Sequence, residues 1–527
     1  MLEATLAILN AEILTLDPKR PNARAIAVRN GRIVALGTDA EIKKCTGNKT
    51  RIIDAKRKTV VPGLVDCHVH MTGFGPFLHE LNLREVQSIN ELQIRLREYA
   101  GAHREAKWIR GGRWDQERLA EKRLPTRWDL DAVVADKPVL LVRVCGHMAV
   151  VNSKAMHVAG ITRKTSVDGG KVDLDPKSGE PNGIIRENAL DLVFKAIPKS
   201  SLQELEETCL LASRKAVKSG LTCVHWMVES TDEIRVLRKL DSAGKLPLRV
   251  FLGVSIRLLD ELKQLQLLED HEDSMVKIGF VKILADGSLG AHTAALKSPY
   301  SDDPTTCGML LYSQRNLENL VFEAHKAGFQ LAIHAIGDQA IEVVLKTYEK
   351  ALEAFPKVNH RHRIEHCSVL NPKLIDWMKR LGVTASVQPH FVVSDSWTVD
   401  RVGKKRSRWI YPFKTLISKG LIVVSGSDCP VEKIDPLLGI WAAVTQNRPL
   451  ERLTVSEALR TYTINAAHAS FDENEKGTIQ VGKLADFTVL SDNLFNFEPD
   501  KLKSVAVEMT IVGGKVVYAR RGFQRSA

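Results

Sequence analysis

Between residues 61 and 430 the chain carries eight short apolar segments, most of them separated by helical stretches. They are Leu64–His70, Leu221–Trp226, Leu248–Gly253, Phe280–Leu284, Gln330–His334, Arg363–Cys367, Val383–Gln388 and Leu421–Gly426. Short apolar runs with helical patterns between them, such as Leu202 to Ser219 and Asn316 to Ala327, read as βα units. Eight such units predict an α/β chain folded as a (β/α)8 TIM barrel. An open doubly wound sheet is the alternative, but no glycine-rich dinucleotide loop supports it. One spacing is anomalous, because about 150 residues lie between His70 and Leu221. That is too long for a loop. Residues from 72 to about 205 are therefore expected to hold an inserted, lid-like subdomain after strand 1.

The two ends of the chain are strand-rich. Leu6–Leu9, Ala25–Val28 and Arg32–Leu36 alternate with turns, and Asn30-Gly31 is a hairpin signal. Asp486–Leu490, Glu508–Val512 and Lys515–Tyr518 repeat the pattern at the C-terminus, with Gly513-Gly514 between the last two. The economical arrangement is one small β-sandwich domain formed by both termini, residues 1–60 and 475–527, beside a barrel domain over 61–474.

Composition narrows the class of protein without naming a partner. The 527 residues are 44% hydrophobic and 26% charged, ordinary values for a globular chain. The net charge of +12 is interspersed with acids, and the densest basic run, Lys404–Arg408, has no nucleic-acid motif around it. No stretch approaches the ~20 apolar residues of a membrane span. The N-terminus has no basic region followed by a signal core. The eight cysteines form no Cys-x-x-Cys pair, so no disulfide framework is expected. The expectation is a cytoplasmic protein acting on a small molecule, with no nucleic acid or membrane partner. A homodimer is the candidate assembly.

Chemistry in a TIM barrel sits at the C-terminal ends of the strands. Strand 1 ends in His68 and His70, which share one strand face and could form half of a metal site. Strand 4 carries Lys282 among apolar neighbours, strand 5 ends in His334, strand 6 in His366, and strand 8 runs into Asp428. Each residue alone has a plainer reading. The histidines could be hydrogen-bonded core residues, and Asp428 a turn or N-cap residue before Pro430. Lys282 could reach water or Asp286. The sharper reading of Lys282 is carboxylation by carbon dioxide, which replaces a costly buried cation with an anion able to bridge two metals. Neutral imidazoles suit zinc, and Asp428 would touch the metal and move a proton as general base and then acid. Cys67, Cys367 and Cys429 adjoin these residues and are expected to pack behind the site.

Ordered along the chain, these segments resemble the amidohydrolase superfamily, in its amidohydrolase-3 branch, which includes YtcJ-like proteins and N-substituted formamide deformylases. The resemblance runs from Val61–His70 through Gly146–Lys154, Val281–Gly290, His334–Asp338, Arg363–His366 and Gly426–Val431 to Gly477–Asp486. It implies a TIM barrel plus a terminal β-sandwich. The implied metal ligands are His68, His70, His334 and His366, with a carboxylated bridging Lys282 and with Asp428 as ligand and base. Zinc, as one or two ions, is the implied cofactor. Two departures stand out: Gly290-Ala-His292-Thr-Ala occupies a stretch where the branch usually carries arginine, and Asn447–Leu453 looks short.

The expected reaction is metal-dependent hydrolysis of a non-peptide carbon–nitrogen bond in an amide, formamide or cyclic amide. His147, Trp114, His292 and His390 are the candidate substrate residues, with His225 in second rank. A rival is a deaminase of the same superfamily, which generally uses one metal and no carboxylated lysine. The other rival is a non-catalytic binding protein on this fold, which would be expected to have lost ligands.

Overall fold

The computed structural model describes residues 3–73, 80–266 and 274–521, so insert residues 74–79 and the extreme ends of the chain lie outside the described residues. Eight parallel strands form a single sheet in chain order. They are β1 (Leu64–Val69), β2 (Leu221–Val228), β3 (Arg249–Ser255), β4 (Val276–Leu284), β5 (Gln330–Ala335), β6 (Arg363–His366), β7 (Thr384–Val387) and β8 (Val423–Ser425). The sheet closes where Val69 bridges Cys429 in parallel register. His70 N–H donates to the Cys429 carbonyl at 2.7 Å, and Asp428 N–H to the His68 carbonyl at 2.8 Å. A nearly closed barrel is the result, and its last contact joins two of the segments that carry site residues. Helices follow the strands as the sequence predicts. The helix Leu202–Lys218, for example, begins in a capping box in which Ser201 and Glu204 satisfy each other's backbone N–H.

Two further sheets are built from the ends of the chain. One pairs Arg32–Gly37, Ala25–Arg29, Leu6–Leu9 and Arg51–Asp54. The Asn30-Gly31 turn joins its hairpin with φ of 50° and 75°, the left-handed pair that a two-residue hairpin turn needs. The other sheet mixes N-terminal strands, including Thr59–Pro62, with Phe487–Leu490, Val507–Val512 and Lys515–Ala519. Ile8, Ile13, Val28, Val60, Phe487 and Ile511 belong to one apolar cluster shared by both sheets. Thr59–Pro62 lies antiparallel to Phe487–Leu490 and leads through Gly63 straight into β1. The terminal sheets thereby anchor the strand that ends in His68 and His70.

The long segment after β1 folds as its own sheet. Its six strands run from Leu81–Asn82 to Pro181–Glu187, with Gly170–Leu174 at one edge. The insert has apolar clusters of its own, one around Leu92, Trp114, Leu141 and Val150, the other around Ala149, Val151 and Ile185. Among the described residues, no helix is long and apolar enough to cross a membrane.

One buried carboxylate ties together the loops that follow β4 and β5. Asp286, fully buried, accepts N–H groups from Ala295, Ile336 and Gly337 at 2.9, 3.0 and 2.9 Å. Replacing Asp286 with alanine would leave these three amides without a partner, at about 1–3 kcal/mol each. The Asp286→Ala protein is expected to unfold at a clearly lower temperature than wild type in a thermal scan.

Candidate metal centre

His68, His70 and Asp428 each offer a ligand atom, and these three atoms lie within 4.8 Å of one another. The nearest Asp428 oxygen is 3.4 Å from Nε2 of both histidines. Lys282 Nζ is 3.3 Å from His68 Nε2. The rings of His334 and His366 have centroids 4.4 Å apart, and those of His68 and His366 are 5.0 Å apart. The barrel mouth therefore gathers all six sequence-predicted ligands.

Backbone conformation, as well as strand position, brings them together. Glu365 and Arg363 share one face of β6, so strict alternation would send the next residue, His366, the other way. His366 instead has φ of 76° and Cys367 φ of 49°, and the left-handed turn redirects the ring. Asp428 is also left-handed, with φ of 55°. Non-glycine residues in this region cost energy and persist only where their surroundings enforce them. For Asp428 the enforcing contacts are its N–H bond to His68 and the N–H that Ser427 donates to Asp66 at 2.9 Å. Cys67, Cys367 and Cys429 are buried in the packing around the site.

The candidate ligand rings are oriented by other side chains. His68 Nδ1 is 2.5 Å from Glu365 Oε2, and the second Glu365 oxygen is 2.8 Å from Arg363 Nε. His366 Nδ1 meets Gln388 Oε1 at 2.7 Å, which leaves Nε2 buried and, among the described residues, without a hydrogen-bond partner. His334 Nε2 is 3.1 Å from the Gly287 carbonyl and 3.5 Å from Asp286. Asp286, the alternative partner for Lys282, is thus committed elsewhere. Among the described residues no carboxylate lies within ion-pair distance of Lys282 Nζ, and burial lowers the pKa of this amine.

The electrostatics fit a cation at this point. Burial holds His68, His334 and His366 well below the usual histidine pKa, so these rings are neutral donors at physiological pH. Burial would raise the Asp428 pKa, but its interactions with His68, with His70 (a hydrogen bond included) and with Lys282 hold it below the usual carboxylate value. Neutral imidazoles, an ionised carboxylate and an orphaned ring nitrogen together match a divalent ion.

A cavity of about 330 Å3 opens over this cluster, with His334, His366 and Asp428 in its floor. Ile336, Leu289, Phe391 and Trp397 give it an apolar side, while Arg84, Arg113, Asp115, Arg143, Cys145 and His147 come from the insert. His147 is the one predicted substrate residue in the cavity wall. Its Nδ1 is 2.8 Å from Glu187, and its ring is 4.9 Å from that of His334. Burial opposes its protonation, but the Glu187 carboxylate prevails and raises the pKa to about 9. Trp114 is instead fully buried in the insert core, where its indole N–H donates to the Leu141 carbonyl at 2.8 Å. His292 pairs with Asp302 at 3.2 Å, and His390 with Glu432 at 2.8 Å, and neither lines the cavity. His225 is buried within the barrel and meets Arg363 Nη1 at 2.8 Å. Glu365, Gln388, Glu187 and Arg143, which pairs with Asp115 at 2.7 Å, were not singled out from sequence. Only Glu365 left a signal there, as an acid two positions from Arg363 and next to His366.

The amidohydrolase family profile matches residues 51–518. The YtcJ protein of Bacillus subtilis is 35% identical over 526 residues, covering 96% of this chain and 98% of that protein. The N-substituted formamide deformylase of Arthrobacter pascens is 28% identical over 539 residues, covering 98% and 99%. The crystal structure of an uncharacterized metal-dependent hydrolase from Pyrococcus furiosus superposes with a TM-score of 0.74 at 34% identity, covering 94% of this chain and 100% of that one.

Groups that orient metal-ligating histidines usually contribute about 10–100-fold in affinity. Glu365→Gln, which retains the shape and loses the charge beside His68, is expected to weaken retention of a divalent metal by that factor in a chelator competition.

Proposed function

The chain belongs to the amidohydrolase family, and we propose that it is a metal-dependent hydrolase of a non-peptide carbon–nitrogen bond, with an amide, formamide or cyclic amide as substrate. The observation that carries this reading is the approach of His68, His70 and Asp428 to within one ion's reach at the barrel mouth. His334, His366 and Lys282 supply the remaining donors. Lys282 is the candidate for carboxylation: its neutral amine adds to carbon dioxide and loses a proton, and the resulting carbamate removes a cation that has no carboxylate partner among the described residues. Zinc is the proposed metal, as one or two ions. These residues would hold a divalent ion, which would supply polarisation of the scissile carbonyl and a more acidic attacking water.

The protein's own groups then carry the proton traffic. Asp428 takes a proton from water as the carbon–oxygen bond forms. It returns that proton to the nitrogen as the carbon–nitrogen bond breaks, giving an acid and an amine. His147, protonated beside Glu187, donates a hydrogen bond to the developing oxyanion. The apolar wall of Ile336, Leu289 and Phe391 keeps bulk water from the reacting carbon. In this reading the two terminal sheets form one composite β-sandwich domain, and residues 61–474 form the hydrolase domain with the insert as its lid. The rival deaminase reading would release ammonia in place of an organic amine, and Lys282 weighs against it.

A positioned general base is worth about 10²–10⁴-fold. Asp428→Asn is expected to lose at least that much turnover on a panel of N-formyl amines, N-acyl amines and cyclic amides, while zinc content by atomic absorption stays near wild type. Unchanged turnover would remove Asp428 from this role. Exhaustive chelation should abolish the same activity, and added zinc should restore it. Ammonia as the sole nitrogen product would favour the deaminase.

A further inference from the structure

We infer that Glu187 is a positioning residue: braced by Thr293, its carboxylate holds the His147 ring with Nε2 free for the reacting group, and so makes docking of the insert on the barrel a condition of catalysis. The inference rests on the hydrolase reading for the role of His147, and on geometry for the rest. Glu187 closes the last strand of the insert, and its side chain is buried. One carboxylate oxygen takes the Nδ1 side of His147 at 2.8 Å, and the other accepts the Thr293 hydroxyl at 2.5 Å. The backbone repeats the connection, with Glu187 N–H donating to the His147 carbonyl at 3.0 Å. Thr293 is itself fixed, since its hydroxyl oxygen accepts the Ser288 N–H at 3.0 Å. With Nδ1 and both carboxylate oxygens engaged, Nε2 is the ring nitrogen left for the cavity.

The surroundings are shaped to this contact. Glu187 sits at φ of 50°, a left-handed conformation that a charged side chain adopts only under constraint. A Cβ at Gly287 would lie 2.1 Å from the Glu187 carboxylate and 2.2 Å from the Thr293 hydroxyl, so that glycine alone admits both groups. Thr293 belongs to the barrel loop after β4, whereas His147 and Glu187 belong to the insert. The same loop accepts two more hydrogen bonds from the insert: Arg186 to the Ala291 carbonyl at 2.5 Å and Gln116 to the Gly290 carbonyl at 3.2 Å. The carboxylate that orients His147 is therefore in place only when the insert is seated.

The test uses the zinc-loaded full chain and two readouts. In turnover of the N-formyl amine panel, Glu187→Gln should lose about 10–100-fold in kcat with KM changed little, and Thr293→Val should lose less. In calorimetric titration with methylphosphonate, a tetrahedral oxyanion, Glu187→Gln and His147→Asn should each weaken binding about tenfold or more. The double variant should lose no more than the worse single one, because both act through one ring. Additive losses, or a Glu187→Gln protein that turns over and binds like wild type, would overturn the inference. Thr293→Val touches the brace from the barrel side and serves if Glu187→Gln fails to fold, and wild-type behaviour of this variant in both readouts would likewise overturn it. Failure of wild type to cleave any panel compound would count against the hydrolase reading alone, since the phosphonate titration still compares the variants. Failure of wild type to bind methylphosphonate would overturn the positioning role itself.

Discussion

In the lumen of the barrel the Glu365 carboxylate is divided between two partners, His68 on one oxygen and Arg363 on the other. The remaining N–H groups of Arg363 are placed with equal care. They meet the Cys67 carbonyl at 2.7 Å, Ser386 Oγ at 3.1 Å and His225 at 2.8 Å, and the guanidinium lies 4.6 Å over the Phe280 ring. Loss of either member of a charge pair this deep leaves the other charge unpaired in low dielectric. The network joins strands β1, β2, β6 and β7, and Met227, Phe251, Phe280 and Ala332 pack within the same barrel. Register at the barrel mouth, and with it the position of His68, depends on this arrangement.

Above that layer the site is made by departures from regular strand. His366 and Asp428 would face elsewhere if β6 and β8 simply continued, and left-handed backbone turns them toward the common point. Asp286 performs a related task for His334 by gathering three amides from the loops around it. Rigid strands set the spacing of the donors, and the strained turns set their direction.

The insert completes the cavity and gives it mixed character, with arginines and acids on one side and aromatic and aliphatic groups on the other. The stretch Gly290–Thr293, which departs from the pattern of the amidohydrolase-3 branch, is the strip on which the insert docks. A Cβ at Gly290 would come within 2.5 Å of the Arg143 guanidinium. Glycine here lets the buried Arg143–Asp115 pair lie against the barrel loop. His292, where the branch usually carries arginine, turns away toward Asp302 and does not line the cavity.

Apolar periodicity made the eight strands legible, because burial on both faces forces continuous Val, Ile and Leu runs whatever the surroundings. The same holds for the strand-rich ends and their Asn30-Gly31 turn, whose conformation is fixed by local sterics. The six candidate ligands were legible because a histidine, lysine or aspartate at the end of such a run has few other uses in this fold. The orienting groups were not. Glu365, Gln388 and Glu187 are ordinary polar residues in sequence, and their roles exist only because segments far apart in the chain are brought within hydrogen-bond distance. Trp114 and His292 show the converse, since residue type alone suggested a pocket and packing put one in a core and the other in a side pair. Sequence by itself determined the strands, the fold class and the donor types, which follow from burial and local geometry. Tertiary structure alone decided which side chains face one another, because direction at a strand end depends on backbone turns and long-range partners that no local pattern encodes.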